Sequence, residues 1–295
     1  MEEVAKIKRF VAGLHRRERG GPLAQPEEAT RWAPGSQRQV GPAIEIQHLG
    51  KSFGANVVLE DINLKIFPGE EVCFIGPTGC GKTLLTKTFN GLLTPSSGRV
   101  LAYGKDLAQA SRHELEEIRR KIGYVFQGNA LFASYLAVDV YDNVSLPLRE
   151  SPYNYPAANE PQIEARVEEV LKEVGLGKEY FYRTANELSG GQKKRVALAR
   201  AIAAKPEVVI YDEPTTGLDP QYTKIIIDLI EQLYKSSHNT TIAITHEKKL
   251  MKQLGRVVFV YDHKIYFDGK YEEFARSEDP IIKTFLARDD DPCNE

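Results

Sequence analysis

The residues Gly76-Pro77-Thr78-Gly79-Cys80-Gly81-Lys82-Thr83 fit the pattern G-x-x-x-x-G-K-S/T at every required position. A phosphate group is bulky and multiply charged. A loop that cradles it must turn several backbone N–H groups inward, and side chains would block that approach. Gly76, Gly79 and Gly81 remove the obstruction and permit positive φ. The whole loop, including Pro77, Thr78 and Cys80, is expected to enclose the phosphates of a nucleotide. Lys82 can reach the β- and γ-phosphates, and Thr83 can place its hydroxyl on Mg²⁺.

A second chemical cluster ends the apolar run Val208-Val209-Ile210-Tyr211 with two acids, Asp212 and Glu213. Two acids closing an apolar stretch can be a solvated strand end. Downstream of a phosphate loop they gain a role: Asp212 binds Mg²⁺ directly or through water, and Glu213 polarises an attacking water.

The third cluster is Leu188-Ser189-Gly190-Gly191-Gln192, followed by the helix-forming stretch Lys193 to Ala201. Ser189, Gly190, Gly191 and Gln192 therefore sit at a helix N-terminus, a second place suited to anions. One nucleotide does not need two such sites from one molecule. Two molecules placed head to tail would sandwich each nucleotide between one phosphate loop and one Ser-Gly-Gly turn. The spacing predicts a nucleotide-dependent, two-fold symmetric homodimer.

Positioning these groups requires alternating strands and helices. Val72 to Ile75 reads as a buried strand feeding the phosphate loop, and Leu84 to Asn90 as the helix leaving it. Further strands are expected at Ile44 to Gln47, Val57 to Phe67, Val100 to Tyr103 and Ile122 to Phe126. Ile163, Val167, Val170, Leu171 and Val174 form a one-sided helical stripe, read as core. Pro152, Pro156 and Pro161 bracket a surface loop before that helix. Val208 to Tyr211 and Thr241 to Thr245 read as buried parallel strands, with a helix from Tyr222 to Tyr234 between them. That alternation argues an α/β fold with a parallel sheet.

Composition narrows the partners. The chain has 295 residues, 42% of them hydrophobic, enough for a substantial core. Its 39 basic and 41 acidic residues balance to a formal charge of −2, which gives no support to nucleic-acid binding. No apolar stretch approaches the length of a membrane span, and the start of the chain lacks a secretory pattern. Cys73, Cys80 and Cys293 have no framework spacing, so a reducing compartment is expected. Cys80 reads as an inert small residue of the loop, with a thiol switch, its pKa lowered by the cationic surroundings, as the alternative.

Residues 1–41 differ from the rest. Val4, Ile7, Phe10, Val11 and Leu14 fall at helical spacing among Lys6, Lys8, Arg9, Arg16 and Arg17, and a Gly/Pro/Gln/Glu-rich linker follows. This is either a basic amphipathic segment for a membrane surface or partner, or a solvated terminus.

With these motifs in register, residues 43–288 resemble the ABC-type ATPases. Phe53 matches the aromatic that stacks on adenine, and Gln127 the glutamine that senses the γ-phosphate and Mg²⁺. Asp219, in Gly217-Leu218-Asp219-Pro220, matches the loop that crosses the dimer interface. His246 matches the switch histidine at the γ-phosphate. The resemblance implies a catalytic set of Glu213, His246, Gln127 and Lys82 acting on ATP, with Thr83, Gln127 and Asp212 toward Mg²⁺. It also implies an ABC-type P-loop ATPase domain at residues 42–288, with a mixed, largely parallel core sheet, an antiparallel β subdomain and a helical signature subdomain over about 128–205. Residues 289–295 would be an acidic tail.

A finer resemblance lies in Phe126 to Ala133, Val140 to Glu150 and Asp279 to Leu286. These segments are similar to the Mla-type, Mce-associated lipid-transport ATPases, although that family often has methionine where this chain has Gln192. The resemblance implies an ATPase subunit at the cytoplasmic face of the inner membrane. It would be peripheral there and serve an integral membrane permease and an Mce-domain lipid-binding protein. Residues 128–150, with Phe132, Tyr135 and Tyr141, are the expected permease contact; internal packing of these aromatics is the alternative. Competing functions are an importer ATPase for a small polar solute such as an amino acid, and a soluble ABC ATPase outside transport. The latter usually carries two cassettes per chain, and here there is one phosphate loop and one signature.

Overall fold

The computed structural model describes residues 41–132, 138–149 and 159–288. Two sheets share the core. The smaller is antiparallel and holds β1 (Ile44–Phe53), β2 (Asn56–Ile66), β4 (Ser97–Ala102) and β5 (Lys105–Asp106) in the order β2-β1-β4-β5. The larger has six strands: β3 (Glu71–Ile75), β6 (Ile122–Val125), β7 (Val208–Asp212), β8 (Thr240–Ile244), β9 (Arg256–Tyr261) and β10 (Lys264–Lys270). Their order is β10-β9-β3-β8-β7-β6. The strands β9, β3, β8, β7 and β6 run parallel, and β10 closes the edge antiparallel.

The central strands are apolar throughout because both faces are covered. Alternate residues serve opposite faces. Val72 and Phe74, Val208 and Ile210, Ile242 and Ile244 face one core, shared with the antiparallel sheet. Cys73 and Ile75, Val209 and Tyr211, and Ala243 face the other, shared with helices.

The helices are α1 (Lys82–Thr88), α2 (Arg112–Arg120), α3 (Val140–Arg149), α4 (Glu160–Glu173), α5 (Gly190–Ile202), α6 (Pro220–Ser237), α7 (Lys248–Leu254), α8 (Tyr271–Ala275) and α9 (Pro280–Arg288). The stripe Ile163, Val167, Val170, Leu171 and Val174 is buried, as its spacing predicts. Helices α3, α4 and α5 pack together, and Arg166 of α4 donates to the Ala203 and Ile202 carbonyls at the end of α5.

Several boundaries differ from expectation: β1 runs on to Phe53, β4 starts at Ser97, and the helix expected at Tyr222 to Tyr234 spans Pro220–Ser237. Pro161 belongs to the first turn of α4, behind the Asn159/Gln162 capping box, because proline lacks only an N–H that this turn leaves unpaired anyway. Helix α1 starts at Lys82 and ends at Thr88, so Asn90 lies in the turn beyond it. Strand β5, the hairpin β9–β10 and the helices α2, α3, α7, α8 and α9 have no counterpart among the expected elements.

Residues 1–40 hold the amphipathic segment, 133–137 include Tyr135, 150–158 include Pro152 and Pro156, and 289–295 are the acidic tail. All of these lie outside the described residues.

Candidate nucleotide site

The parallel strands all point their carboxyl ends the same way, and that edge gathers the chemistry. Gly76 follows β3, His246 follows β8, Asp212 ends β7 with Glu213 next, and Gln127 follows β6. Crevices at the carboxyl ends of such sheets are where α/β folds bind ligands.

The loop after β3 has φ of 145° at Gly76, 81° at Gly79 and 98° at Gly81. A Cβ on Gly76 would lie 2.2 Å from the Val260 carbonyl oxygen. At Gly79 the same Cβ would meet nothing within 4 Å, so this glycine serves backbone conformation and open space rather than packing. Lys82 is 5% exposed, and its Nζ donates to the carbonyls of Gly76 at 2.7 Å and Pro77 at 2.9 Å. The ammonium is thereby tied to the first two residues of the loop.

Asp212 is buried, and both its oxygens are engaged. Oδ1 accepts from Thr83 Oγ1 at 2.9 Å, and Oδ2 accepts from Tyr124 Oη at 3.2 Å. Burial pushes its carboxyl above the usual range, the neighbouring Glu213 charge adds to that, and the Thr83 and Tyr124 donors oppose it. Glu213 has φ of 48°, a left-handed conformation uncommon for a residue with a side chain. Its Oε2 accepts from Gln127 Nε2 at 2.7 Å and from Thr216 Oγ1 at 3.0 Å.

Ser189 is the N-cap of α5 and forms a full capping box with Gln192. Gly190 and Gly191 open the helix, as the sequence indicates. A Cβ on Gly191 would come within 2.9 Å of the Tyr222 ring, so glycine is needed there for close packing against α6. Asp219 caps α6 by accepting from the amides of Gln221 at 2.9 Å and Tyr222 at 3.0 Å.

The structure therefore pairs Thr83 with Asp212 and Gln127 with Glu213 at one sheet edge, with Lys82 next to Thr83 in the chain and bonded within its own loop. Phe53, 51% exposed at the end of β1, and the exposed His246 stand outside those hydrogen bonds. Ser189, Gly190, Gly191, Gln192 and Asp219 lie at helix starts of their own.

Burial pushes the Cys80 thiol up, and the nearby Lys82 ammonium only partly offsets this, which favours Cys80 as an inert small residue of the loop. Tyr141 is half-buried: its ring packs 5.6 Å from that of Phe181, and its hydroxyl donates to Glu160 at 3.2 Å. Phe132 is 37% exposed, with the Arg200 guanidinium over its ring.

Sequence reasoning missed Tyr124, Thr216 and Lys194. Tyr124 carries a hydroxyl within an otherwise apolar strand, a signal that it seeks a buried partner. Lys194 carries a charge on the core side of a helix.

The ABC transporter family profile matches residues 59–216. The chain belongs to the ABC transporter ATP-binding family. It is 36% identical over 248 residues to the "Probable ribonucleotide transport ATP-binding protein mkl" of Mycobacterium leprae, covering 84% of this chain and 69% of that protein. It is 36% identical to the "Methionine import ATP-binding protein MetN" of Clostridium acetobutylicum, covering 84% and 75%. It is 34% identical to the "Intermembrane phospholipid transport system ATP-binding protein MlaF" of Haemophilus influenzae, covering 84% and 91%. Among solved structures, the ATP-binding cassette MJ0796, described as dimeric, post-hydrolysis and bound to ADP and Pi, superposes with a TM-score of 0.70. It is 30% identical and covers 77% of this chain and 98% of that one. This cassette is thus an ATPase, and its α/β architecture with an antiparallel β portion is that of its family. Among its described residues, no helix is long and apolar enough to cross a membrane.

Proposed function

We propose that this cassette is the ATP-hydrolysing subunit of a transporter that moves phospholipid between membranes. The observation that carries the ATPase chemistry is the meeting of Lys82, Thr83, Asp212, Glu213 and Gln127 at one sheet edge. The hydroxyl of Thr83 and the carboxylate of Asp212 are hard oxygen donors, and such a set fits Mg²⁺, which takes one or two carboxylates plus phosphate oxygens. When bound, Mg²⁺ neutralises charge on the β- and γ-phosphates. Lys82 binds those phosphates. Glu213, oriented by Gln127 and Thr216, accepts a proton from the attacking water. His246, exposed after β8, is assigned to the γ-phosphate and Phe53, exposed at the end of β1, to adenine.

Ser189 to Gln192 and Asp219 act on the nucleotide held by a second copy. Two chains bind MgATP and close on each other, hydrolysis opens them, and an integral membrane permease follows. The cassette then sits peripherally on the cytoplasmic side of that membrane. The lipid cargo is supported by the MlaF relative, of which this chain spans 91%, against 69% and 75% of the relatives named for ribonucleotide and methionine transport. The segments around Phe126 to Ala133 and Asp279 to Leu286 point the same way. An Mce-domain lipid-binding protein is the further partner this reading includes.

A second reading is supported by the MetN relative: an importer ATPase for an amino acid or similar polar solute. Copurification in mild detergent separates the two. The lipid reading expects a permease carrying phospholipid, with ATPase activity stimulated in a bilayer. A permease accompanied by a soluble solute-binding protein, without bound lipid, would overturn the cargo and leave the ATPase standing.

A further inference from the structure

Lys194 stands five positions after Ser189 on the same helix and is 4% exposed. Its Nζ leaves α5 and donates to the main-chain carbonyl of Glu213 at 3.3 Å. On its other side, the Glu213 amide donates to the Ile244 carbonyl of β8 at 3.0 Å. The peptide units flanking this left-handed residue are thus held by a strand through N–H and, beside the Thr216 amide at 3.4 Å, by a helix through C=O. A left-handed, non-glycine backbone persists only when its surroundings over-determine it, and Lys194 is one of the groups that do so.

Nothing about packing calls for a cation here. Val196, Ala197, Leu198 and Ala199 already bury α5 in the core. Taking an ammonium out of water disfavours its charge, and burial lowers the Lys194 pKa against the pull of Glu213 and Asp212. A methionine of similar volume would avoid that desolvation.

We propose that Lys194 is a positioning residue for Glu213, holding its peptide in the left-handed conformation that aims the carboxylate. This rests on the reading above, in which Glu213 activates the water. It adds a link between sites. The helix that carries Ser189 to the nucleotide of the second copy also carries Lys194 to the Glu213 of its own copy.

The test uses the full chain with Lys194→Met and Lys194→Gln, each alone and combined with Glu213→Gln. Lys194→Met is expected to match or exceed the wild-type Tm. It should bind ATP with unchanged affinity and lose roughly ten- to a hundred-fold in kcat with little change in KM, the scale of a misplaced catalytic group. A residue with only a structural role would lower Tm and kcat together. In the Glu213→Gln background Lys194→Met should cost nothing further, because it acts through that side chain. Lys194→Gln keeps a donor on a shorter stem and should show a smaller loss with the same non-additivity, which preserves the test if the methionine variant does not fold. Wild-type kcat in either folded variant, or an additive loss on Glu213→Gln, would overturn the proposal. Normal turnover in Glu213→Gln alone would instead sink the parent reading.

Discussion

Gln127 Nε2 and Glu213 Oε2 are joined by a 2.7 Å hydrogen bond that ties the residues following β6 to those following β7. Thr216 Oγ1 donates to the same oxygen at 3.0 Å. Both donors fall on Oε2, which leaves Oε1 as the oxygen offered to a water. Gln127→Ala removes the shorter of the two bonds. A hydrogen bond to a charged group contributes roughly 1.5–3 kcal/mol, so turnover should fall about ten- to a hundred-fold. ATP affinity measured without hydrolysis should change far less. Equal losses in both would assign Gln127 to ground-state binding instead.

Asp212 makes a prediction about pH. Its folded-state carboxyl pKa is raised, chiefly by burial, so the native state holds its proton more tightly than the unfolded chain does. The sign follows from linkage: this group favours folding while protonated, and that contribution is lost as pH rises through and above the ordinary carboxylate value of about 3.9. Asp212→Asn keeps a neutral group at the same place. Its Tm advantage over wild type should therefore grow as pH is raised from about 4 to about 7, while hydrolysis is lost. A variant less stable than wild type at neutral pH would contradict this.

The parts of this architecture legible in the sequence are those where local chemistry and global position agree. Gly76, Gly79 and Gly81 need their glycines for backbone reasons visible in a single loop. Ser189 to Gln192 read as a helix start from the Ser-Gly-Gly turn and the helix-forming stretch behind it, and the structure adds the capping box. The strand runs at Val72, Val208 and Thr241 are apolar because they are central. What stays hidden depends on contacts between distant segments. Tyr124 on β6 finds Asp212 on the neighbouring β7, and Lys194 reaches from helix to strand end. Cys80 illustrates the converse. Its charged neighbour Lys82 is readable nearby in the chain, but the burial that outweighs it is a property of the packed fold. Tyr141 likewise reads as an exposed aromatic until Phe181 and Glu160 are brought against it.

Lys82→Ala should abolish tight MgATP binding. The substitution removes a charge-assisted bond to phosphate, worth about 1.5–3 kcal/mol, and it deprives the γ-phosphoryl of a partner in the transition state as well. Equilibrium binding of a fluorescent ATP analogue checks the first effect and turnover the second. Unchanged values for both would remove the phosphate loop from the account.

Ser189→Arg should impair hydrolysis while sparing ATP binding by the isolated chain, because Ser189 serves the nucleotide held by the second copy. Mixing Ser189→Arg with Lys82→Ala creates one composite site with an intact loop and an intact signature turn. Some activity should return in the mixture and in neither variant alone. Direct loss of ATP binding in Ser189→Arg would argue that the turn acts within its own chain.

The central claim is that two copies close around ATP and that Glu213 chemistry reopens them. Sedimentation of Glu213→Gln with and without MgATP tests it most directly. Turnover should fall by on the order of 10²–10⁴, binding should persist, and MgATP should convert the protein to a stable dimer while the wild type relaxes to monomer. A Glu213→Gln protein that stays monomeric in MgATP and hydrolyses it at the normal rate would contradict the account.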